Sequence, residues 1–176
     1  MPTSTAIHID LISDTSTCPT PGMRRAMAEA EVGDEQRGED PSVNRLCERA
    51  AELMGQEAAM FVPSGTMCNQ IAIATHCQPG DEIITAENSH ITGSEGAGAA
   101  VFAGSCIRVI SCRRGIFSAA DVSAAVRPLK PGSPHSRLVE VEQTNNRGGG
   151  SVWPLEAIRS VTDAARAHDL ALHMDG

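Results

Sequence analysis

Four short stretches of this 176-residue chain set polar, chemically useful side chains beside apolar runs. In FVPSGTMCNQ, Ser64, Gly65 and Thr66 separate two apolar segments, the second at helical spacing. Backbone N–H groups, the helix dipole and two hydroxyls could converge there on a phosphate. The competing reading is an ordinary N-cap. In LALHMDG, period-two alternation puts His173 and Asp175 on one face and Met174 on the other. A carboxylate ending an apolar run calls for a cationic partner, because burying it unpaired is costly; capping a following helix is the alternative. His90, in ENSHIT, carries an imidazole suited to general acid–base work, or is a solvated loop histidine. Ser13-Asp14-Thr15 follows IHIDLI and reads either as a group of site residues or as a capped turn.

The elements that must position these residues are legible from periodicity. PSVNRLCERAAELMG, from Pro41, has helical spacing with Asp40 as N-cap and Gly55 just past the end. AAMFV (58–62) reads as a short strand, PSGT as a tight turn, and TMCNQIAIATHC as a helix that Pro79-Gly80 stops. DEIITA, IRVIS, RLVEVEQT and LALHM read as further strands. Between them, GSEGAGAAVFAG predicts a short, closely packed helix, and SAADVSAAVRPL and PLEAIRSVTDAARAH predict amphipathic helices, the last with Pro154 in its first turn. Strands alternating with helices predict an α/β fold with a mainly parallel sheet covered by helices. In such sheets ligands sit at the carboxyl ends of the strands, where Ser13, Ser64, His90 and Asp175 all fall.

Composition narrows the chemistry. The chain is 41% hydrophobic, enough for one globular domain with a core. Its 14 basic and 22 acidic residues give a formal charge of −8, and no Lys/Arg cluster is visible, which disfavours nucleic acid. The six cysteines form no Cys-x-x-Cys pair and read as reduced thiols. His76 and Cys77 lack partners at metal-ligand spacing, so no metal site is expected. The dinucleotide, P-loop and Gly-x-Ser-x-Gly fingerprints are missing. The opening MPTSTAIHID shows neither a basic nor an apolar signal region, and no apolar stretch approaches membrane-spanning length, so a cytoplasmic protein with no membrane partner is expected.

Taken together and in order, IDLISDTSTCPT, VGDEQRGEDPSVNRL, FVPSGTMCNQ, PGDEIITAENSHI, VEQTNNRGGGSVWPL and LALHMDG resemble the threonine aldolases, the β-eliminating lyase branch of pyridoxal-phosphate enzymes with the aspartate-aminotransferase fold. The resemblance spans nearly the whole chain. It implies a large domain of the PLP-dependent transferase type, with residues 1–176 forming an N-terminal arm and its first part. It also implies that pyridoxal 5'-phosphate is held by Gly65 and Thr66 at its phosphate, by His90 stacked on the ring, and by Asp175 at the pyridinium nitrogen. Ser13 would lie near the substrate carboxylate. The implied reaction is retro-aldol cleavage of threonine or allo-threonine, a small amino-acid substrate, to glycine and an aldehyde, with His90 and Asp175 as catalytic residues. A homodimer or homotetramer is implied for the full-length form.

Two positions depart from that pattern. The family's second active-site histidine is replaced by Asn145 in Glu142-Gln143-Thr144-Asn145-Asn146, and its tyrosine before Gly-Glu-Asp is Arg37. Asn145 can hydrogen-bond a substrate hydroxyl but cannot act as a base near neutral pH. These changes leave open another lyase of the same fold; a short, non-catalytic binding or scaffold chain is the alternative from a different class. The resemblance places the Schiff-base lysine after the Asp-Gly motif, whereas Lys130, the single lysine, falls in a Pro/Gly loop. The expectation is therefore an N-terminal part of a longer enzyme, inactive alone, with the rest of the large domain and a small C-terminal domain absent.

Overall fold

The computed structural model describes Ile9 and residues 14–176, which divide into two units, residues 1–61 and residues 62–176. Ser13 lies outside the described residues. The first unit carries α1 (Pro21–Glu29), begun by the Thr20 side chain accepting from the Met23 N–H, and α2 (Pro41–Met54). The Asp40 carboxylate accepts the Ser42 and Val43 N–H groups at 2.9 Å and the Gly33 N–H at 3.0 Å. Together the Val43, Gly33 and Ser42 amides hold its pKa below the usual carboxylate range. Helix α1 was not singled out in the sequence, although Thr20 before Pro21 and the spacing of Met23, Ala26 and Met27 carry its signal.

The second unit is the α/β body. It runs α3 (Gly65–His76), β1 (Asp81–Ala86), α4 (His90–Gly93), α5 (Gly98–Ala103), β2 (Cys106–Ile110), α6 (Ala119–Ala125), β3 (His135–Glu142), α7 (Leu155–Ala167) and β4 (Ala171–Asp175). The four strands are parallel in the order β2-β1-β3-β4. The alternating strands and helices read from the sequence are thus present, with one correction. Residues 58–62 form no strand: none of the four strands pairs with them, and Met60 and Phe61 are 67% and 50% exposed. An apolar run without a ladder partner has nothing to hold its N–H and C=O groups extended.

Helices cover both faces of the sheet. On one side Ile84, Val139 and Val141 pack against Val122 and Ala125 of α6 and Val161 and Ala165 of α7. Phe117 and Trp153 meet edge to face there, with ring centroids 4.9 Å apart. On the other side Ile83 and Leu138 pack beneath Ile73 of α3 and Ala99 and Ala103 of α5. Small residues on α5 allow that close approach: a Cβ on Gly98 would fall 2.4 Å from the Gln70 side chain. Within the second unit, therefore, α3 lies tight over the sheet face that bears Thr85, Glu140, His173 and Asp175. Among the described residues no helix is long and apolar enough to cross a membrane.

Candidate functional site

Parallel strands finish at the same edge, so the C-terminal ends of β1, β3 and β4 bring Ala86, Glu142 and Asp175 together. The chain leaves β1 in a tight turn, Ser89 N–H to Ala86 C=O at 3.1 Å, which delivers His90 to that edge. Glu142 then clamps it, accepting the His90 backbone N–H at 2.8 Å. The same carboxylate accepts the Asn145 amide at 2.9 Å and the Asn146 N–H at 2.8 Å. Loop after β1 and loop after β3 are thus tied to one buried acid.

Opposite them, α3 contributes an amide pair. Asn69, 2% exposed, donates from Nδ2 to Glu95 at 2.8 Å and to Asp175 Oδ2 at 2.9 Å, while its Oδ1 sits 2.8 Å from His173 Nε2. Carboxylates only accept, so Nδ2 must face them and Oδ1 must face an N–H on His173. Gln70 also donates to Glu95. His90 Nδ1 lies 2.8 Å from Glu95 Oε1. One oxygen or nitrogen from each of His90, Glu95 and Asp175 falls within 4.8 Å of the others. That spacing would also suit a cation, yet His90 Nδ1 is already engaged by Glu95. Burial pushes the His173 pKa down, with Asp175 opposing the shift. His173 therefore serves as a neutral donor to Asn69.

The alternation read for β4 holds: His173 and Asp175 both meet Asn69, while Met174 points away and is 48% exposed. The cationic partner expected for Asp175 is not found among the described residues; an amide takes Oδ2, and no described group donates to Oδ1. Gly65 and Thr66 form the first turn of α3, and the capping role read for this stretch belongs to Ser64, which accepts the Met67 N–H at 3.2 Å. Gly65 faces open space, with no atom within 4 Å of where a Cβ would stand. Thr66 lines a cavity of about 530 Å³ with Ser64, Gln70 and Phe102. Gly65 precedes Asn69 by four residues, about 6 Å along the helix axis, so the helix start and the Asp175 cluster belong to one side of α3.

Asn145, expected from the resemblance to contact substrate, is buried and hydrogen-bonded within the chain. It is 0% exposed, donates to Glu142, accepts the Gly148 N–H at 2.6 Å, and pairs its backbone with Ser151. Its amide is committed to bracing the loop that follows β3. Lys130 is exposed in the loop entering β3, at the sheet edge opposite Asp175. Asn69, Gln70, Glu95 and Glu142 were not singled out in the sequence. The available signal was the adjacent amide pair Asn69-Gln70 inside the otherwise apolar stretch Met67–Ala74.

Comparison with known proteins adds an independent line. The profile of the beta-eliminating lyase family matches residues 10–176. The probable low-specificity L-threonine aldolase 2 of Arabidopsis thaliana is 42% identical over 181 residues, covering 100% of this chain and 51% of that protein. The low specificity L-threonine aldolase of Escherichia coli strain K12 is 38% identical over 169 residues, covering 96% and 50% respectively. Among solved structures, the threonine aldolase of Leishmania major superposes with a TM-score of 0.73 at 22% identity, over 86% of this chain and 44% of that one. An aspartate aminotransferase from Thermus thermophilus shares the fold at a TM-score of 0.62 and 19% identity, over 86% of this chain and 39% of that one. This chain spans about half the length of the curated relatives it matches. With its parallel sheet, its polar cluster at the strand ends and a family profile matched along nearly its whole length, the chain belongs to the beta-eliminating lyase family.

Proposed function

We propose that the protein carrying this chain is a pyridoxal-phosphate-dependent carbon–carbon lyase that cleaves threonine and allo-threonine to glycine and an aldehyde. Residues 1–176 supply its N-terminal arm and the first part of its large domain. The observation that carries the reading is the Asp175 carboxylate at the end of β4, paired with no described cation and lying within 4.8 Å of His90 through their ligand atoms. A half-buried carboxylate one of whose oxygens meets no donor among the described residues suits a protonated ring nitrogen, and an imidazole beside it suits the ring's face. The open space at Gly65 and the first N–H groups of α3, ahead of the Met67 N–H that Ser64 caps, suit a phosphate. The donor set therefore fits the cofactor.

Each residue then has a task. Asp175 keeps a proton and positive charge at the ring nitrogen. Gly65 and Thr66 hold the phosphate. His90, its Nδ1 turned to Glu95, presents Nε2 as the base that takes the β-hydroxyl proton, directly or through one water. Bound there, pyridoxal phosphate supplies the electron sink for the pair left at Cα when the Cα–Cβ bond breaks. Ser13 is assigned to the substrate carboxylate on resemblance alone. The same reading carries a cytoplasmic homodimer or homotetramer, checked by light scattering of the purified protein.

The test is a product assay of the full-length protein with pyridoxal phosphate on threonine, allo-threonine and phenylserine. Glycine together with the matching aldehyde is expected. No glycine from any of the three substrates would sink the aldolase assignment.

A further inference from the structure

Glu95 is 8% exposed and receives three donors: Asn69 Nδ2 at 2.8 Å, the Gln70 amide, and His90 Nδ1 at 2.8 Å. Among the described residues no cation accompanies it apart from what His90 could carry. A buried carboxylate is tolerated when its lone pairs are filled in this way. Two of the donors are amides on α3, themselves 2% and 9% exposed, so the acid is held from behind. The third donor is the imidazole, whose side chain is 38% exposed and therefore open toward the sheet edge. A neutral imidazole carries one N–H. If Nδ1 gives that proton to Glu95, Nε2 is left with its lone pair outward. Asn69 uses its second amide hydrogen on Asp175, so His90, Glu95, Asn69 and Asp175 form one hydrogen-bonded chain. Neither Glu95 nor Asn69 reaches the open edge itself.

We propose that Glu95 is a positioning residue for His90: its carboxylate holds the imidazole as the Nδ1–H tautomer and orients Nε2 outward as the basic nitrogen, with Asn69 and Gln70 anchoring the carboxylate. The inference rests on the functional reading above, in which His90 acts as base, but the arrangement itself exists without cofactor. It predicts a tautomer that differs from the Nε2–H form a histidine prefers in water.

The experiment is 15N NMR of histidine-labelled full-length protein without cofactor, at alkaline pH, with His90→Gln to assign its signals. In the wild type the protonated-nitrogen shift is expected at Nδ1. In Glu95→Ala the population is expected to move toward Nε2–H, and in Glu95→Asp to stay largely at Nδ1. With cofactor and substrate, Glu95→Ala is expected to lower kcat about 10- to 100-fold, with KM changing less than threefold. A wild-type His90 protonated at Nε2 would overturn the proposal, and so would an unchanged tautomer in Glu95→Ala. Should Glu95→Ala fail to fold, the wild-type signal alone still decides. Failure of the protein to bind pyridoxal phosphate would count against the functional reading and leave the tautomer result standing.

Discussion

Asn69 bridges two carboxylates, donating to Asp175 Oδ2 at 2.9 Å and to Glu95 Oε1 at 2.8 Å, and so couples the end of β4 to the segment between α4 and α5. Hydrogen bonds to charged groups contribute about 1.5–3 kcal/mol each. Asn69→Ala should therefore weaken pyridoxal phosphate binding roughly tenfold, about 1.4 kcal/mol, measured by fluorescence titration. Asn69→Asp should be worse, since it sets a third carboxylate against the other two. Its melting temperature is expected below that of Asn69→Ala at pH 7. The reverse order would show that the bridge does not hold the site together.

Asn145 offers a second test, because the resemblance implies a substrate contact and the structure shows a brace within the chain. Its amide is used by Glu142 and by the Gly148 N–H, and Gly115 leaves no spare room: a Cβ there would stand 2.4 Å from Asn145. Gly115 also has φ +76°, a region costly for L side chains. Asn145→Ala is expected to destabilise the protein by about 1–3 kcal/mol and to lower kcat by loosening the Glu142 clamp on His90, with KM for the amino acid nearly unchanged. A raised KM at unaltered stability would return Asn145 to the substrate.

The sheet was legible because each strand holds a short core of Ile, Val, Leu or Ala, entered after a Gly/Pro/Ser break or a helix and alternating with stretches of helical spacing. Asp175 and His90 stood out for the same reason, as polar residues where such runs end. What the sequence could not show depends on pairings across the chain. Residues 58–62 have the composition of a strand but no ladder partner. The surroundings of Asn145, with Glu142 and Gly148 near in sequence and Gly115 distant, also come only from the folded chain. Glu95 sits in a glycine-rich stretch whose packing was foreseen, yet its role comes from Asn69 and Gln70 on α3, some 25 residues earlier.

The start of β1 contains a buried ion pair that should be sensitive to truncation. Glu82, 2% exposed, accepts Arg127 Nε through both carboxylate oxygens, at 3.0 and 2.8 Å, with Ser136 nearby at 3.4 Å. Arg127→Ala would strand that acid within the sheet. Because the arginine side chain is itself 37% exposed, the loss is expected near the low end for a broken buried pair, about 2–3 kcal/mol by urea denaturation. The double variant Arg127→Ala, Glu82→Gln should recover more than half of it. A double variant no more stable than the single one would mean that lost packing, not a stranded charge, is responsible.

Glu140 supplies the sharpest pH dependence. It is 0% exposed in the middle of β3, accepts the Thr85 hydroxyl through Oε2, and has no partner for Oε1 among the described residues. Burial raises its pKa from 4.5 to about 8; the Thr85 and Ser89 hydroxyls oppose the shift, and nearby Asp175 and Glu142 add to it. The folded protein therefore keeps a proton that the unfolded chain releases. Below the unfolded pKa of 4.5 the two states are protonated alike and the full stability is present. As pH rises from there the unfolded state binds fewer protons, so stability falls by about 1.4 kcal/mol per unit and levels off past the folded value. The total is on the order of 4 kcal/mol between pH 4.5 and 8. Glu140→Gln removes this titration and keeps the shape. Its unfolding free energy, measured alongside wild type from pH 5 to 8.5, should carry a constant offset for the unpaired amide while the difference between the two proteins swings in favour of the variant as pH rises. A difference that stays flat across that range would show that Glu140 is ionised in the folded protein, held by hydroxyls such as those of Thr85 and Ser89.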